Sequence, residues 1–428
     1  MKNRLSNFFR ALGPGIITGA ADDDPSGIAT YSQTGAQFGY GQLWTALYQL
    51  PLMIAVQEAC ARIGAATGRG LAGVVKERYS RSILYGVVGL VVVANTINIG
   101  ADIGAVAAAV RLLVDIPFTL LAIAIAAIIV LLEVFVTYKQ YAKGLKWLSL
   151  ALLAYPVTAL VVAEPWGEII RATLIPHIEF SFQYLFIVTG VFGTSISPYM
   201  FFWQASEEVE EELERGIVAV GEEQEPPLPE SFIPNLRIDT VVGMIVAEAA
   251  QWFIIIATAT VLFSHGVTNI ATAADAAKAF EPLVQSFPYA GVLAKMLFAV
   301  GIIGLGFLGI PVLAGSAAYA LSEALGWREG LSKTFRQAPG FYGVIIVSTV
   351  VGLLLNFSGI DPIHALVWTA VFNGIAAVPL LFVIAKINGS KKILGAERGG
   401  PLSRTFVWLT FVVMACSGLA LLATLLTG

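Results

Sequence analysis

The segment GPGIITGAADDDPSG, residues 13–27, places three consecutive aspartates and a proline within an otherwise apolar run. A helix in lipid must satisfy its backbone polar groups internally, so an interruption of this kind needs a functional reason. Proline removes a hydrogen-bond donor and clashes with the preceding turn. Charged side chains at membrane depth cost about 3 kcal/mol each on insertion scales. We therefore expect a broken helix whose polar residues line a cavity filled with water or ions.

The composition of the whole chain indicates a membrane protein. Of its 428 residues, 57% are hydrophobic and 13% are charged, and the mean hydropathy is +0.79. These values exclude a soluble globular protein, and the net charge of −4 excludes a generic nucleic-acid binder. Cys60 and Cys416 both lie in apolar runs and support neither a disulfide framework nor a zinc site. The sequence predicts an all-α, multi-pass protein of the cell membrane, surrounded by the lipid bilayer.

About 11 segments are apolar over the roughly 20 residues that a membrane helix needs. If the N-terminus is cytoplasmic, 21 of the 25 Lys and Arg residues lie inside, three lie outside and one lies within a span. This asymmetry follows the positive-inside rule and supports both the number of spans and the orientation. The predicted spans are about 12–36, 43–62, 83–110, 118–136, 145–163, 184–205, 241–263, 290–321, 341–357, 365–385 and 406–426.

A second span carries the same kind of interruption as the first. Residues 188–199 read VTGVFGTSISPY, and both segments contain a Thr-Gly pair, a polar run and then a proline. The first break opens a set of five spans and the second opens another five, so the two sets cross the membrane in opposite directions. Paired breaks in inverted repeats indicate a transporter binding site. We predict one transporter domain over 1–428, with repeats at about 12–163 and 180–385 and an extra helix at about 406–426.

The chemistry of the two breaks favours a cation. Carboxylates and the carbonyl groups that a broken helix frees are cation ligands, and neither break contains Lys or Arg. Asp24, directly before the proline, is the expected charged ligand. Asp22 and Asp23 are expected to line the cavity or to offset the charge of the ion through water.

Two later spans contribute further polar candidates. Asn95 and Asn98 lie on the same helical face as Asp102, deep in the third span, and are candidates for cavity lining. Asp102 itself is either a proton acceptor or a hydrogen-bond partner of a neighbouring helix. Asn373, in the tenth span, is either a cavity residue or part of an interhelical hydrogen bond.

The longest polar stretch, about 206–237, is rich in glutamate and contains a Pro-Pro pair. We expect a solvated cytoplasmic loop there. The alternative is an acidic vestibule that gathers cations near the inner mouth of the transport path.

Two motifs resemble the NRAMP family of divalent metal transporters. Asp24-Pro25-Ser26-Gly27 is similar to the family's D-P-G-N in helix 1, and Ser197-Pro198-Tyr199 is similar to its Met-Pro-His in helix 6. The Gly13-Pro14 pair and residues 57–69, QEACARIGAATGR, match the start of helix 1 and the end of helix 2.

The resemblance implies a LeuT-like (APC) fold, a 5+5 inverted repeat whose helices 1 and 6 are broken at the membrane midplane. It also implies the residues that hold the metal ion. They are Asp24, Gly27, Ser197 and the freed carbonyl groups of Ala21 and Thr194.

The chain departs from the family pattern at four places. Gly27 stands where the family has Asn, Ser197 where it has Met, and Tyr199 where it has His. In the third span the family's D-L-A-E appears as Asp102-Ile103-Gly104-Ala105, without the final acidic residue. Thioethers favour soft metals, whereas oxygen ligands and water suit magnesium and manganese. These departures predict a wider, oxygen-lined site and resemble the NRAMP-related magnesium transporters.

The expected substrate is therefore Mg²⁺, and also Mn²⁺, moved partly hydrated by alternating access without a cofactor. Proton coupling is not expected, because His177, His265 and His364 all lie near predicted outer ends. The alternative is a proton-coupled importer of Mn²⁺ or Fe²⁺. An enzyme is not expected, since an intramembrane prenyl transferase would need a second Asp-rich motif and basic residues for phosphate. The oligomeric state is left open, and a monomer is compatible with the sequence.

Overall fold

A computed structural model describes residues 14–136, 154–161, 165–214, 232–285 and 289–427. Within these ranges the ordered elements are helices, and no β-strand is present. We number the α-helices in chain order. They are α1 (Pro14–Asp22), α2 (Pro25–Phe38), α3 (Trp44–Thr67), α4 (Leu71–Arg78), α5 (Arg81–Arg111), α6 (Phe118–Phe135), α7 (Ala154–Val161), α8 (Trp166–Leu174), α9 (Phe182–Ser195), α10 (Pro198–Glu214), α11 (Phe232–Val261), α12 (Ala273–Ala277), α13 (Glu281–Val284), α14 (Ala290–Leu325), α15 (Pro339–Leu355), α16 (Pro362–Asn388), α17 (Lys391–Leu394) and α18 (Pro401–Thr427).

Helices occupy the predicted spans. The fifth prediction, 145–163, lies partly outside the described residues, and α7 is the part that is described. By length and hydropathy alone, seven of the described helical stretches suffice to cross a membrane. The first span falls short because it is broken, and α15 is short at 17 residues. The seven stretches are Arg81–Arg111, Phe118–Phe135, Phe182–Leu213, Phe232–His265, Ala290–Leu325, Pro362–Asn388 and Pro401–Thr424.

Both predicted helix breaks are present. α1 ends at Asp22 and α2 begins at Pro25, so the chain leaves the helix for two residues. The second break separates α9 from α10, which begins at Pro198. A proline at the first position of a helix costs no hydrogen bond, because that N–H has no intrahelical partner. Each proline therefore ends one half-helix and starts the next.

The half-helices pack closely against long helices of the bundle. α1 lies on α11, and a Cβ atom added to Gly19 would come within 2.4 Å of the Gly243 carbonyl oxygen. α9 lies on α16, and a Cβ added to Gly193 would come within 2.4 Å of the Gly374 nitrogen. Small residues at such crossings let two backbones approach each other closely. Both breaks are thereby held in the interior of the bundle.

The prediction of a solvated loop over 206–237 is wrong at its two ends. α10 continues to Glu214 and α11 already begins at Phe232, while residues 215–231 lie outside the described part. Glu208 and Glu212 are 2% and 0% exposed. They are four residues apart on one helical face, and this face points into the protein rather than into water.

Candidate ion-binding site

The Asp24 carboxylate caps the second half of the broken helix. One of its oxygens, Oδ1, accepts hydrogen bonds from Ser26 Oγ at 2.6 Å and from the Gly27 backbone N–H at 2.9 Å. The other, Oδ2, accepts one from Asn98 Nδ2 at 3.1 Å. The residue is 1% exposed. The carboxylate is therefore fixed by three donors at the N-terminus of α2, where the helix dipole favours negative charge.

The polar face of α5 meets this carboxylate, as the spacing predicts. Asn98 Nδ2 lies 3.5 Å from Asp102 Oδ2, so one amide group stands between the carboxylates of Asp24 and Asp102. Asn95 instead donates to the Leu313 carbonyl oxygen at 2.9 Å and ties α5 to α14. Asn98 and Asp102 thus belong to the surroundings of Asp24, whereas Asn95 serves helix packing through its amide nitrogen.

The second break contributes hydroxyl and carbonyl groups. Ser197 Oγ lies 2.6 Å from the carbonyl oxygen of Gly193 and 2.7 Å from that of Thr194, so the two carbonyls share its single proton. The Tyr199 hydroxyl donates to the Ala21 carbonyl oxygen at 3.0 Å. In this conformation the freed carbonyl groups of Ala21 and Thr194 therefore accept hydrogen bonds from the hydroxyls of Tyr199 and Ser197. These hydroxyls compete with an ion for the two carbonyl oxygens, each of which has two lone pairs.

Gly27 is tightly packed in this conformation, and the wider site expected from this substitution stays a prediction. A Cβ atom at this position would lie 3.1 Å from the Asp22 carbonyl oxygen, 3.3 Å from the Tyr31 ring and 3.4 Å from Thr194 Oγ1. The space that a larger residue would use is filled by Tyr31 and Thr194. Gly27 instead lets the two breaks approach each other.

Sequence reasoning missed the hydroxyl of Ser26 and named Thr194 only for its carbonyl. Ser26 Oγ lies 2.6 Å from Asp24 Oδ1 and 3.3 Å from Thr194 Oγ1, so the two breaks meet through these side chains. Both residues are 1% exposed. The signal was available, because Ser26 stands inside the D-P-S-G motif itself.

A second group of buried carboxyls lies beside Asp24. Asp22 and Asp23 are each 1% exposed, and the described residues offer no hydrogen-bond partner to the Oδ1 atom of either. Glu248 of α11, which the sequence reasoning did not select, is 4% exposed and interacts electrostatically with both. An acidic residue in the middle of the predicted span 241–263 was the signal for it.

Asn373 is not joined to the Asp24 cluster by any hydrogen bond among the described residues. It is 1% exposed on α16, and its Nδ2 atom has no partner. No contact of Asn373 therefore distinguishes between the two roles considered for it, cavity lining and an interhelical hydrogen bond.

In the described part of the chain, no three His, Cys, Asp or Glu side chains surround a common point as metal ligands. Asp24 lies in a fully enclosed environment of hydroxyl, carbonyl and amide groups. A cation bound at this carboxylate would take most of its ligands from neutral oxygens and from water. The enclosure also means that an ion reaches Asp24 only when the surrounding helices move.

A small cavity lies at the end of α2 that is remote from the break. It has a volume of about 150 Å³, and its lining combines apolar residues with polar ones such as Gln33, Asn269 and His364. Gln33 holds the neighbouring segment in place. Its Nε2 donates to the Thr268 carbonyl oxygen at 3.2 Å, and its Oε1 accepts from the Ile270 N–H at 2.9 Å. These bonds connect α2 to the segment at 268–270.

Comparison with family models and known proteins gives a consistent result. The model described as "Natural resistance-associated macrophage protein-like" (Nramp) matches residues 15–424. The "Divalent metal cation transporter MntH" of Ralstonia nicotianae is 24% identical over 438 residues, covering 98% of this chain and 92% of that protein. The protein of the same name from Caldanaerobacter subterraneus subsp. tengcongensis is 25% identical, covering 98% and 94%.

Two solved structures share the fold. A manganese transporter of Eremococcus coleocola, in complex with an aromatic bis-isothiourea compound, aligns with a TM-score of 0.75 at 16% identity, covering 97% of this chain and 86% of that one. Mhp1, a nucleobase-cation-symport-1 family transporter, aligns with a TM-score of 0.55 at 13% identity, covering 97% and 93%. The predicted LeuT-like fold is thereby confirmed.

Proposed function

The chain belongs to the Natural resistance-associated macrophage protein-like family and is a transporter rather than an enzyme, and on that premise we propose that it carries divalent metal cations across the cell membrane. The observation that supports this most is the buried Asp24 carboxylate at the break between α1 and α2. This carboxylate is held by three hydrogen-bond donors at the point where the two half-helices meet. The N-terminus is proposed to be cytoplasmic, as the distribution of Lys and Arg indicates.

We propose Mg²⁺ as the principal substrate and Mn²⁺ as a second one. The groups around Asp24 offer hydroxyl and carbonyl oxygens from Ser26, Thr194, Ser197 and Ala21. Such neutral oxygens suit hard cations, and magnesium in particular keeps several of its waters when it binds. The ion would replace the Tyr199 and Ser197 hydroxyls as the partner of the Ala21 and Thr194 carbonyl oxygens.

We propose that uptake is driven by the membrane potential and not by protons. Each elementary charge gains about 2.3 kcal/mol per 100 mV, so a divalent cation gains about 4.6 kcal/mol when it enters a negative interior. Accumulation then needs no second ion. The histidines support this reading, because His177, His265 and His364 lie in or next to connecting segments rather than beside Asp24.

A proton-coupled importer of Mn²⁺ or Fe²⁺ is the second candidate. It is favoured by one contact, the Asn98 amide that lies between Asp24 and Asp102. Such a bridge would let a proton on Asp102 respond to an ion at Asp24. The names of the similar proteins, which are divalent metal cation and manganese transporters, also favour manganese.

Uptake into liposomes distinguishes the two candidates. The purified chain is reconstituted with Mg²⁺ or Mn²⁺ outside and with a magnesium dye and a pH dye inside. We expect magnesium entry that increases with a negative interior potential, without acidification. Manganese entry with acidification and without a magnesium signal would instead establish the proton-coupled importer.

A further inference from the structure

An apolar groove runs along the surface of the bundle between α5 and α15. It has a volume of about 650 Å³ and reaches Trp327, in the segment that joins α14 to α15. The two helices touch at Gly100 and Gly352, where a Cβ atom on Gly100 would come within 2.5 Å of the Gly352 carbonyl oxygen. Nearer the start of α15, a Cβ atom on Gly343 would meet nothing within 4 Å. Val347 in the groove wall is 60% exposed, so the groove opens outward, where a membrane protein meets lipid.

The wall of this groove offers almost no hydrogen-bonding group. Thr96 Oγ1 donates to the Val92 carbonyl oxygen and Ser348 Oγ to the Val344 carbonyl oxygen, each at 2.7 Å within its own helix. Apart from the Trp327 indole, the other lining residues are aliphatic or glycine. Apolar space of this kind holds neither an ion nor ordered water. The occupant that matches it is a hydrocarbon.

The groove is too narrow for a helix. From Gly340 to Leu355 it extends over about 22 Å at the helical rise of 1.5 Å per residue, which gives a mean cross-section of about 30 Å². A helix with its side chains is about 10 Å in diameter, or about 80 Å² in cross-section. An extended acyl chain is a single file of CH₂ groups and fits the narrower space.

One end of the groove carries positive charge. The Trp327 indole lies against Gly340, since a Cβ atom there would come within 2.5 Å of its Cε3 atom, and tryptophan is enriched where a membrane meets water. Arg328 follows it directly, and Arg336 stands three residues before α15. Both arginines are exposed, and neither forms an ion pair with an acidic side chain in the described ranges. Guanidinium groups at this level are suited to a phosphate.

We propose that the groove binds an anionic phospholipid, with an acyl chain between α5 and α15 and the phosphate on Arg328 and Arg336. The apolar wall explains the chain, and the two arginines explain the charge of the headgroup. Such a lipid contacts the helix that supports the ion site. α5 presents Ile97 to the groove, and the next residue, Asn98, donates to Asp24.

Native mass spectrometry of the purified full-length chain tests the proposal. Dioleoyl phosphatidylglycerol and dioleoyl phosphatidylcholine are added separately, so that only the headgroup differs. The wild type is expected to retain one phosphatidylglycerol and to bind phosphatidylcholine at least about tenfold more weakly. Arg328→Gln combined with Arg336→Gln should remove this preference. Lys391→Gln combined with Lys392→Gln is the matched control, because these lysines are also exposed but lie outside the groove, and the preference should remain.

A second pair of variants tests the groove itself and does not depend on the arginines. Gly343→Phe fills the open space and should lose the retained lipid, whereas Gly89→Phe, whose Cβ also meets nothing within 4 Å but which does not line the groove, should keep it. Equal binding of the two lipids by the wild type, or a lipid kept in Gly343→Phe, would overturn the proposal. A wild-type dimer that Gly343→Phe converts to a monomer would also overturn it, by showing that a second copy covers the groove.

Discussion

The hydroxyl of Tyr199 donates a 3.0 Å hydrogen bond to the carbonyl oxygen of Ala21, so a side chain of the second helix break occupies a carbonyl of the first. Both residues are 1% exposed. The bond connects α10 to α1 across the centre of the bundle. It also competes with any cation for the Ala21 oxygen, which links ion binding to the relative position of the two broken helices.

Tyr199→Phe should strengthen ion binding. In the wild type the Tyr199 hydroxyl competes with the ion for the Ala21 carbonyl oxygen, and in the variant it does not. A hydrogen bond is worth about 1 kcal/mol net, so the KM for Mn²⁺ uptake is expected to fall about fivefold. Initial uptake rates over a concentration series measure this. An unchanged KM would mean that the bond persists when the ion is bound.

Asp24→Ala should abolish transport, because it removes the fixed charge of the proposed site. We expect uptake to fall at least about 100-fold, equivalent to about 2.8 kcal/mol at 1.4 kcal/mol per tenfold. Asp361→Ala is a matched control, since Asp361 also precedes a proline and caps a helix, α16, through the Ile363 N–H. Its variant should lose about 1 kcal/mol of stability but keep transport. Near-normal uptake by Asp24→Ala would contradict the site assignment.

Ser197→Met should change the selectivity of transport. It places a thioether at the break between α9 and α10, and releases the Thr194 carbonyl that Ser197 Oγ now occupies. A soft ligand favours Mn²⁺ and Cd²⁺ over Mg²⁺. Competition between these ions in liposome uptake measures the ratio. If the ratio does not change, ligand softness at this position does not determine the choice of ion.

Gly27→Ala should destabilise the protein. The added methyl group would meet the Asp22 carbonyl oxygen at 3.1 Å and the Tyr31 ring at 3.3 Å, and overpacking of this kind costs about 1–3 kcal/mol. Gly89→Ala on α5 is the control, because its Cβ would meet nothing within 4 Å. That variant should be neutral or slightly stabilised, since alanine favours helix more than glycine does. Thermal unfolding in detergent compares the two, and equal melting temperatures would refute the crowding at Gly27.

The helix breaks were predictable because local chemistry determines them. Pro25 and Pro198 each follow a polar residue, and Asp24 is a strong N-cap, so each break follows from the residues at that point. Proline alone is not sufficient, because Pro51, Pro311 and Pro379 lie inside α3, α14 and α16. The position of Asn98 beside Asp102 follows equally from the helical period. These statements need no knowledge of which helices are neighbours.

The remaining features depend on tertiary packing. Glu248 lies near Asp22 and Asp23 because α11 packs against α1, and its own segment indicates a buried acidic residue but not which residues are its neighbours. Of the three contacts at Gly27, the Asp22 carbonyl oxygen and the Tyr31 ring are local, and only Thr194 Oγ1 belongs to the other break. The burial of Glu208 and Glu212 could not be predicted from charge alone, because a glutamate-rich helix can turn one face inward.

The glycine contacts of the two half-helices have a mechanical consequence. α1 meets α11 at Gly19 and Gly243, and α9 meets α16 at Gly193 and Gly374, so backbone faces backbone at both places. Interlocked side chains resist sliding, because each step forces them out of staggered rotamers. Where no side chains interlock, a helix can tilt or shift without forcing side chains out of their preferred rotamers. The half-helices α1 and α9 therefore contact their neighbours through glycine surfaces that offer little resistance to the movement an ion needs to reach Asp24.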